Sequence, residues 1–582
     1  MPTTDQGDVV RLVGSAAKFN TARHSLGIYR SVNNTCRYSV PVSWSESPAA
    51  LKTHIEYALA HVILEHGMLR VGIAGEDTAD PAFVHVKTMD MQRMLEWKEY
   101  PNASVQPGGT QGEDDRLLRA LEKCHEPLWE DLPRKPGWKV IVHDFSPHTS
   151  TSTATPGRKT LEISYLSHHA YADGKSGYVF HHSLLSALNR HPRPLSPPPE
   201  LDPKTHILHL PQPPRLPPDL ETLVPISLSW LFFLRTIFNS LIYPRLPAFL
   251  KPAPDPSTIP WTGGPVDPGT ATCHLRLISV PPPHTARLLA ACRAHGATLT
   301  GLLHALILCS LSRRTASSSR PPDDDDRDAP PPACFRATTP MSLAAFADPR
   351  YRHLFHADAT IHCLVSAHET EFPSSLTSRF RATATPAPHQ GKSGIVVLDD
   401  DEKNEKGKKK KERENQSEND TTTSLVWRTA AAVSADLRAR VAALPRDDIT
   451  PMLRHVGDWH AFFRSKFGGP RESSWAVSNI GSFAPADPTP GAASAPEAGP
   501  EATSGGGGGL FAIERSVFSQ GAVPAGPAFH CKVAGVVGGG LSVVMGWQDG
   551  IVEGEVMEGL VGDLREWLRG LGGEEGEGEE LG

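Results

Sequence analysis

Cysteine is scarce in this chain and never closely paired. The 582 residues carry eight Cys, at 36, 124, 273, 292, 309, 334, 363 and 531, with no CxxC among them. A zinc knuckle or a redox pair is not indicated, and reduced thiols in a cytosolic chain are the natural reading. The sequons at Asn33 and Asn102 are then irrelevant. A basic-then-apolar signal region is missing from the opening MPTTDQGDVVRLVG. Basic excess is missing too: the net charge is -7, which gives no reason to expect nucleic acid. Apolar residues make up only 39%, against 54 Pro and 49 Gly, so folded parts alternate with long irregular segments.

Several familiar strings fail on inspection. There is no GxSxG nucleophile elbow. Gly174-Lys175-Ser176 and Gly391-Lys392-Ser393 lack the glycine five positions before the lysine that would complete a phosphate loop. The glycine-rich string 535–540 is flanked by strand-like runs and reads as a hairpin turn. The longest apolar run, 226–243 (ISLSWLFFLRTIFNSLIY), lies between Pro225 and Pro244 and is broken by Arg235, Thr236 and Asn239. A spanning helix needs about 20 apolar residues with few charges. The run is expected to form a helix packed on the protein, with an interfacial helix on a membrane or lipid droplet as the alternative.

What the chain does have is His168-His169-Ala170-Tyr171-Ala172-Asp173-Gly174. The preceding 159–167 (KTLEISYLS) alternates, with Leu161, Ile163 and Tyr165 on one face and Glu162 and Ser164 on the other. It pairs by pattern with 138–144 (WKVIVHD) through a Ser/Thr/Pro/Gly-rich loop. After the motif, 177–188 has helical spacing, with Ser176 as the expected N-cap. The motif is thus a crossing from a buried strand to a helix, which fixes a side chain while leaving its tip accessible.

A neutral imidazole has the basicity to take a hydroxyl proton during attack on an activated carbonyl. His169, four residues before Asp173, is the expected base. His168 precedes it on the strand and should point the other way. A zinc site from His168, His169, His181 and His182 is the competing reading, and the strand geometry argues against it.

HHAYADG resembles the HHxxxDG signature of the CoA-dependent acyltransferase superfamily, and the chain as a whole is most similar to the fungal alcohol acetyltransferase family. Supporting segments are 19–30 (FNTARHSLGIYR), 51–72, the PLW and PGW elements at 127–129 and 136–138, 291–311, 335–343 and 475–483. The DFGWG of the plant branch is absent, and 546–550 (GWQDG) does not replace it. The resemblance implies an α/β fold of two chloramphenicol-acetyltransferase-like subdomains with an active-site channel between them. It implies acetyl transfer from acetyl-CoA to an alcohol, with catalytic His169 and Asp173, supporting His168 and Gly174, and no metal. In that family the motif aspartate pairs with an arginine, for which Arg336 is a candidate here. Gly174 is expected to permit a tight turn. The oxyanion donors, expected from the other half, and the CoA-binding residues are not legible. A donor on a carrier protein's phosphopantetheine arm, or a non-catalytic thioester- or lipid-binding role, stay open as alternatives.

The expected organisation is a first subdomain over 10–190, a proline-rich extended linker over 191–269 that contains the apolar helix, and a second subdomain over 270–571. The second is interrupted near 316–332, 373–423 and 484–509, and an acidic tail covers 572–582. The tract KGKKKKERENQSEND, flanked by Asp and Glu, reads as a solvated insertion. A hairpin at 528–547 and an amphipathic helix with Val552, Val556, Leu560, Leu564 and Leu568 on one stripe should close the fold. A cytoplasmic monomer is expected, with peripheral contact to endoplasmic reticulum or lipid droplets through 226–243.

Overall fold

The computed structural model describes residues 3–4, 7–45, 47–100, 111–145, 159–190, 195–250, 258–317, 334–384, 422–484 and 509–571. Two sheets dominate it. The first has five strands in the order Ala512–Gln520, Val32–Ser39, Thr160–Ser167, Trp138–Asp144 and Leu95–Glu99. Thr160–Ser167 runs antiparallel to Trp138–Asp144, with Trp138 opposite Ser167. The apolar face of this sheet, including Leu161, Ile163 and Tyr165, packs under the helices Pro48–Glu65 and Gly174–Leu188. Its polar face is also buried. Glu162 is 3% exposed and is held by Arg37 Nε at 2.7 Å and Arg515 Nη2 at 2.6 Å.

The second sheet has six strands in the order Cys273–Val280, Leu541–Gln548, Phe529–Val536, Trp475–Phe483, Phe335–Ser342 and Val365–Phe372. Its covering helices are Leu299–Ser317, Thr422–Ala443 and Gly554–Gly570. The expected closing hairpin is Phe529–Val536 with Leu541–Gln548, antiparallel. Leu560, Leu564 and Leu568 are buried on the last helix as its stripe requires. The helix Gln111–His125 wedges between the halves, burying Leu117, Leu118 and Leu121 against Leu275, Leu277, Val517 and Val544.

Chain order and sheet membership part company at three places. Strand Ala512–Gln520 was expected with the second subdomain, yet it is an edge strand of the first sheet, antiparallel to Val32–Ser39. Its Arg515 supplies the counter-charge that buried Glu162 requires. The segment expected as an extended linker is strapped to both halves. Strand Ile207–His209 pairs with Leu201–Asp202 on one side and with Thr88–Asp90 on the other, and Leu195, Leu201, Leu208 and Leu210 join the first core. Leu220, Leu223 and Val224 then bury against Met341, Leu343, Phe355 and Leu364. Apolar residues spaced among the prolines make docking favourable. Third, the insertion expected from 373 begins later. Ser374–Ala384 is a helix that buries Thr377 and Phe380, and the next helix starts at Thr422. Residues 385–421, the loops 318–333 and 485–508, and the tail 572–582 lie outside the described residues.

The apolar run does not pack inward as expected. Only Trp230–Ile237 is a regular helix; a wider turn over Phe238–Ile242 and a tight one at Tyr243–Arg245 follow. No residue of Trp230–Ile237 is buried, and Trp230 is 80% exposed. Among the described residues, no single helix is long and apolar enough to cross a membrane.

Candidate active site

The motif occupies the crossing between strand Thr160–Ser167 and helix Gly174–Leu188. Its backbone is tied at both ends: His168 N–H donates to the Gly137 carbonyl at 2.7 Å, and Asp173 N–H donates to the His362 carbonyl at 2.9 Å. The N-cap is Asp173, not Ser176. Asp173 Oδ1 accepts the Ser176 N–H at 3.0 Å, and Ser176 sits at the third helical position in a capping box.

His169 Nδ1 lies 2.9 Å from the Ala172 carbonyl oxygen. A carbonyl only accepts, so Nδ1 carries the proton and Nε2 carries the lone pair. Nε2 has no hydrogen-bond partner among the described residues. The ring packs 5.1 Å from the Tyr29 ring, centroid to centroid, with Cys363 Sγ 3.6 Å from Nδ1. His169, Arg23 and Cys363 are each only partly exposed to solvent. Desolvation, with the nearby Arg23 charge, holds the His169 ring down to about 4, so it is neutral at ordinary pH.

His168 faces a different group. Its Nδ1 accepts the Ala170 N–H at 2.9 Å, so Nε2–H donates to Glu76 Oε1 at 2.9 Å. His24 mirrors it: Nε2 accepts the Trp129 N–H at 3.0 Å, and Nδ1–H donates to the same Glu76 oxygen at 2.8 Å. These three side chains are close enough to hold a cation. Each ring nitrogen facing Glu76 is protonated, however, because its other nitrogen accepts a backbone N–H. That is hydrogen bonding, not ligation. The four-histidine zinc reading also fails, since His181 is taken up by Tyr38 Oη at 2.9 Å and the Asn34 carbonyl at 3.1 Å.

Asp173 does not meet an arginine among the described residues. Arg336 pairs with Glu371 at 3.0 Å instead. Asp173 Oδ2 accepts the Leu364 N–H at 3.2 Å, and its nearest charge-capable partner is His362 Nε2 at 3.8 Å. Ser176 Oγ accepts the His362 N–H at 3.0 Å and donates to the His362 carbonyl at 2.6 Å. The motif carboxylate is therefore a joint: it caps the motif helix and grips the segment leading into strand Val365–Phe372 of the second sheet. Gly174 serves close approach, not a left-handed turn. A methyl there would meet Ile480 Cγ2 at 2.6 Å and Phe518 Cζ at 2.7 Å.

The alcohol acetyltransferase family matches the chain over residues 109–320, a span that includes the motif. A probable alcohol acetyltransferase of Fusarium pseudograminearum, FCK4, is 27% identical over 572 residues, which is 97% of this chain and 96% of the relative. The chain is thus similar to alcohol acetyltransferases along nearly its whole length. A second relative, the probable alcohol acetyltransferase crmB of Aspergillus fumigatus, is 27% identical over 177 residues, 30% of this chain and 36% of that one. The fold of this chain is similar to that of the TRI3 trichothecene 15-O-acetyltransferase of Fusarium sporotrichioides. The TM-score is 0.57 at 12% identity, covering 96% and 94% of the two chains.

The tertiary partners of the motif were not foreseen from sequence: Glu76, His24, Tyr29, Arg23, His362, Cys363 and Lys532. Arg23, His24 and Tyr29 lie within 19–30, a segment whose family likeness was visible although no role was. The other four carry no local signal.

Proposed function

We propose that this alcohol acetyltransferase uses His169 Nε2 as the general base for transfer of an acetyl group from acetyl-CoA to an alcohol. The observation that carries the reading is the His169–Ala172 hydrogen bond, which fixes the tautomer and leaves a lone pair on Nε2 of a partly exposed ring. The alcohol proton passes to Nε2 as its oxygen bonds to the thioester carbonyl. The same proton is returned to the departing sulfur, giving an ester and free CoA. No covalent bond to the protein is needed. His168, Glu76 and His24 hold the strand end, and Asp173 holds the helix start, so the imidazole between them has one orientation.

The test is direct. Purified protein is incubated with acetyl-CoA and a panel of alcohols, and free thiol and ester are measured. Thiol release that depends on an alcohol and yields its acetyl ester supports the reading. Turnover only with a carrier-protein thioester would replace CoA as the donor.

A further inference from the structure

Strand Phe529–Val536 alternates in a telling way. Phe529, Cys531 and Val533 enter the second core, whereas Ala534 on the opposite face packs with Val32, Ile480 and Phe518 at the seam between the halves. His530 and Lys532 share that seam-facing side by the period of two. Lys532 is 5% exposed, and its ammonium has no hydrogen bond and no carboxylate among the described residues. Its aromatic neighbour is Phe518, with Nζ 5.3 Å from the ring centroid. The same ring abuts Gly174, the first residue of the motif helix. The ammonium and the first residue of the motif helix therefore meet the same ring, and the ammonium charge disfavours protonation of His169.

A buried ammonium without an anion is costly, and a cation–π contact offsets little of that cost. Desolvation, with a contribution from Arg23, lowers Lys532 to about 7. Arg23 itself is committed: its guanidinium lies over Tyr29 at 4.2 Å and Phe19 at 4.9 Å, and it reaches Asn20 Oδ1 at 3.4 Å. Lys532 is not committed. An uncompensated cation beside a base suits an anion that exists only during the reaction.

We propose that the Lys532 ammonium is the second half's contribution to catalysis, receiving the oxyanion formed when the thioester carbonyl is attacked; this rests on His169 being the base. In that step the alcohol oxygen bonds to the carbonyl carbon, and its proton moves to His169 Nε2. The carbonyl π pair moves onto oxygen, where Lys532 meets it. Collapse restores the carbonyl, breaks the carbon–sulfur bond, and returns the proton to sulfur.

The groups facing Lys532 make this visible in a pH profile. Arg23, whose charge acts on Lys532, stays charged; His530, on the same side of the strand, is pushed down by burial; the Cys531 thiol, on the core side, is pushed up by burial. The rate should rise as His169 loses its proton near pH 4 and fall as Lys532 loses its own near pH 7.

The experiment compares wild type with Lys532→Met and Lys532→Arg, following thiol release from acetyl-CoA with an alcohol and with water alone as acceptor. Lys532→Met should lower kcat about 10²- to 10³-fold, the usual effect of losing one oxyanion donor, with KM for acetyl-CoA within a few-fold. It should also raise the melting temperature, because an unpaired buried charge is removed. Lys532→Arg should keep part of the activity and lose the limb near neutrality. A Met variant with wild-type kcat, or with the same alkaline limb, overturns the proposal while leaving His169 untouched. A Met variant that unfolds or melts lower also overturns it, since the lysine would then be serving the fold. Full activity in His169→Ala would instead remove the reading on which this one rests.

Discussion

His169 Nδ1 donates to the carbonyl oxygen of Ala172, three residues along the same turn, at 2.9 Å. The motif thus sets the tautomer of its own base without help from the aspartate. His169→Ala should lower turnover about 10²- to 10⁴-fold in steady-state assays, the usual worth of a general base. Acetyl-CoA affinity, measured by calorimetric titration, should change little. His168→Ala should be milder in rate and should show itself in stability, because Glu76 loses one of its two donors.

Asp173→Asn probes the joint. Asn can still cap Ser176, but an amide NH₂ in place of Oδ2 would face the Leu364 N–H, donor against donor. A cost of about 1–3 kcal/mol is expected from one buried N–H left without an acceptor. Denaturant unfolding should register it, with a fall in kcat as Cys363 and His362 shift against His169. Unchanged unfolding and unchanged kcat would mean that the grip on the second half is not needed.

Glu162 binds the late strand Ala512–Gln520 to the first sheet through Arg515. Glu162→Ala removes the shared partner of two half-buried arginines, which keep Glu113 and Asp114, and should cost about 1–3 kcal/mol in equilibrium unfolding. The pH dependence has a definite sign. Arg515 and Arg37 hold the carboxylate down to about 2, below its ordinary 4.5. Its stabilising contribution is present above 4.5 and is lost as pH falls toward 2, and the Ala variant should lack that part of the acid transition.

Replacing 399–420, which lie outside the described residues, by a short Gly/Ser linker should leave activity within a few-fold. The helices on either side, Ser374–Ala384 and Thr422–Ala443, make their own core contacts, and loop length adds little closure entropy. Loss of activity in a folded variant would mean that the tract carries contacts of its own.

The uncovered segment 226–250 contains Arg235 and Arg245 and no Asp or Glu, in a chain of net charge -7. Trp230, Leu231, Leu234, Phe238, Ile242, Phe249 and Leu250 are exposed on it. That composition is expected to bind anionic vesicles reversibly, with a blue shift of Trp230 emission. Trp230→Ser with Leu231→Ser should abolish vesicle co-sedimentation and leave the melting temperature unchanged. Lost stability in that variant would instead show that the helix is covered by protein.

The sequence alone was enough for the strand, turn and helix around HHAYADG, the closing hairpin and the final amphipathic helix. Each is written in a period of two or 3.6 residues, or in a motif of seven neighbours. The candidate base, His169, could be named for the same reason, and its tautomer is set by a carbonyl three residues away. Tertiary structure decided the rest. The partners of Asp173 lie near Leu364, 191 residues on, and Glu76 meets His168 across 92 residues. Strand Ala512–Gln520 crosses into the first sheet, although nothing in its own pattern names Val32–Ser39 as its neighbour. Lys532 reads in the sequence as an ordinary charged residue on a strand. Only the packing of two halves against each other buries it, with no carboxylate partner among the described residues. Local periodicity specifies which face of an element is buried, but which other element covers that face depends on side-chain fit and charge balance over the whole chain.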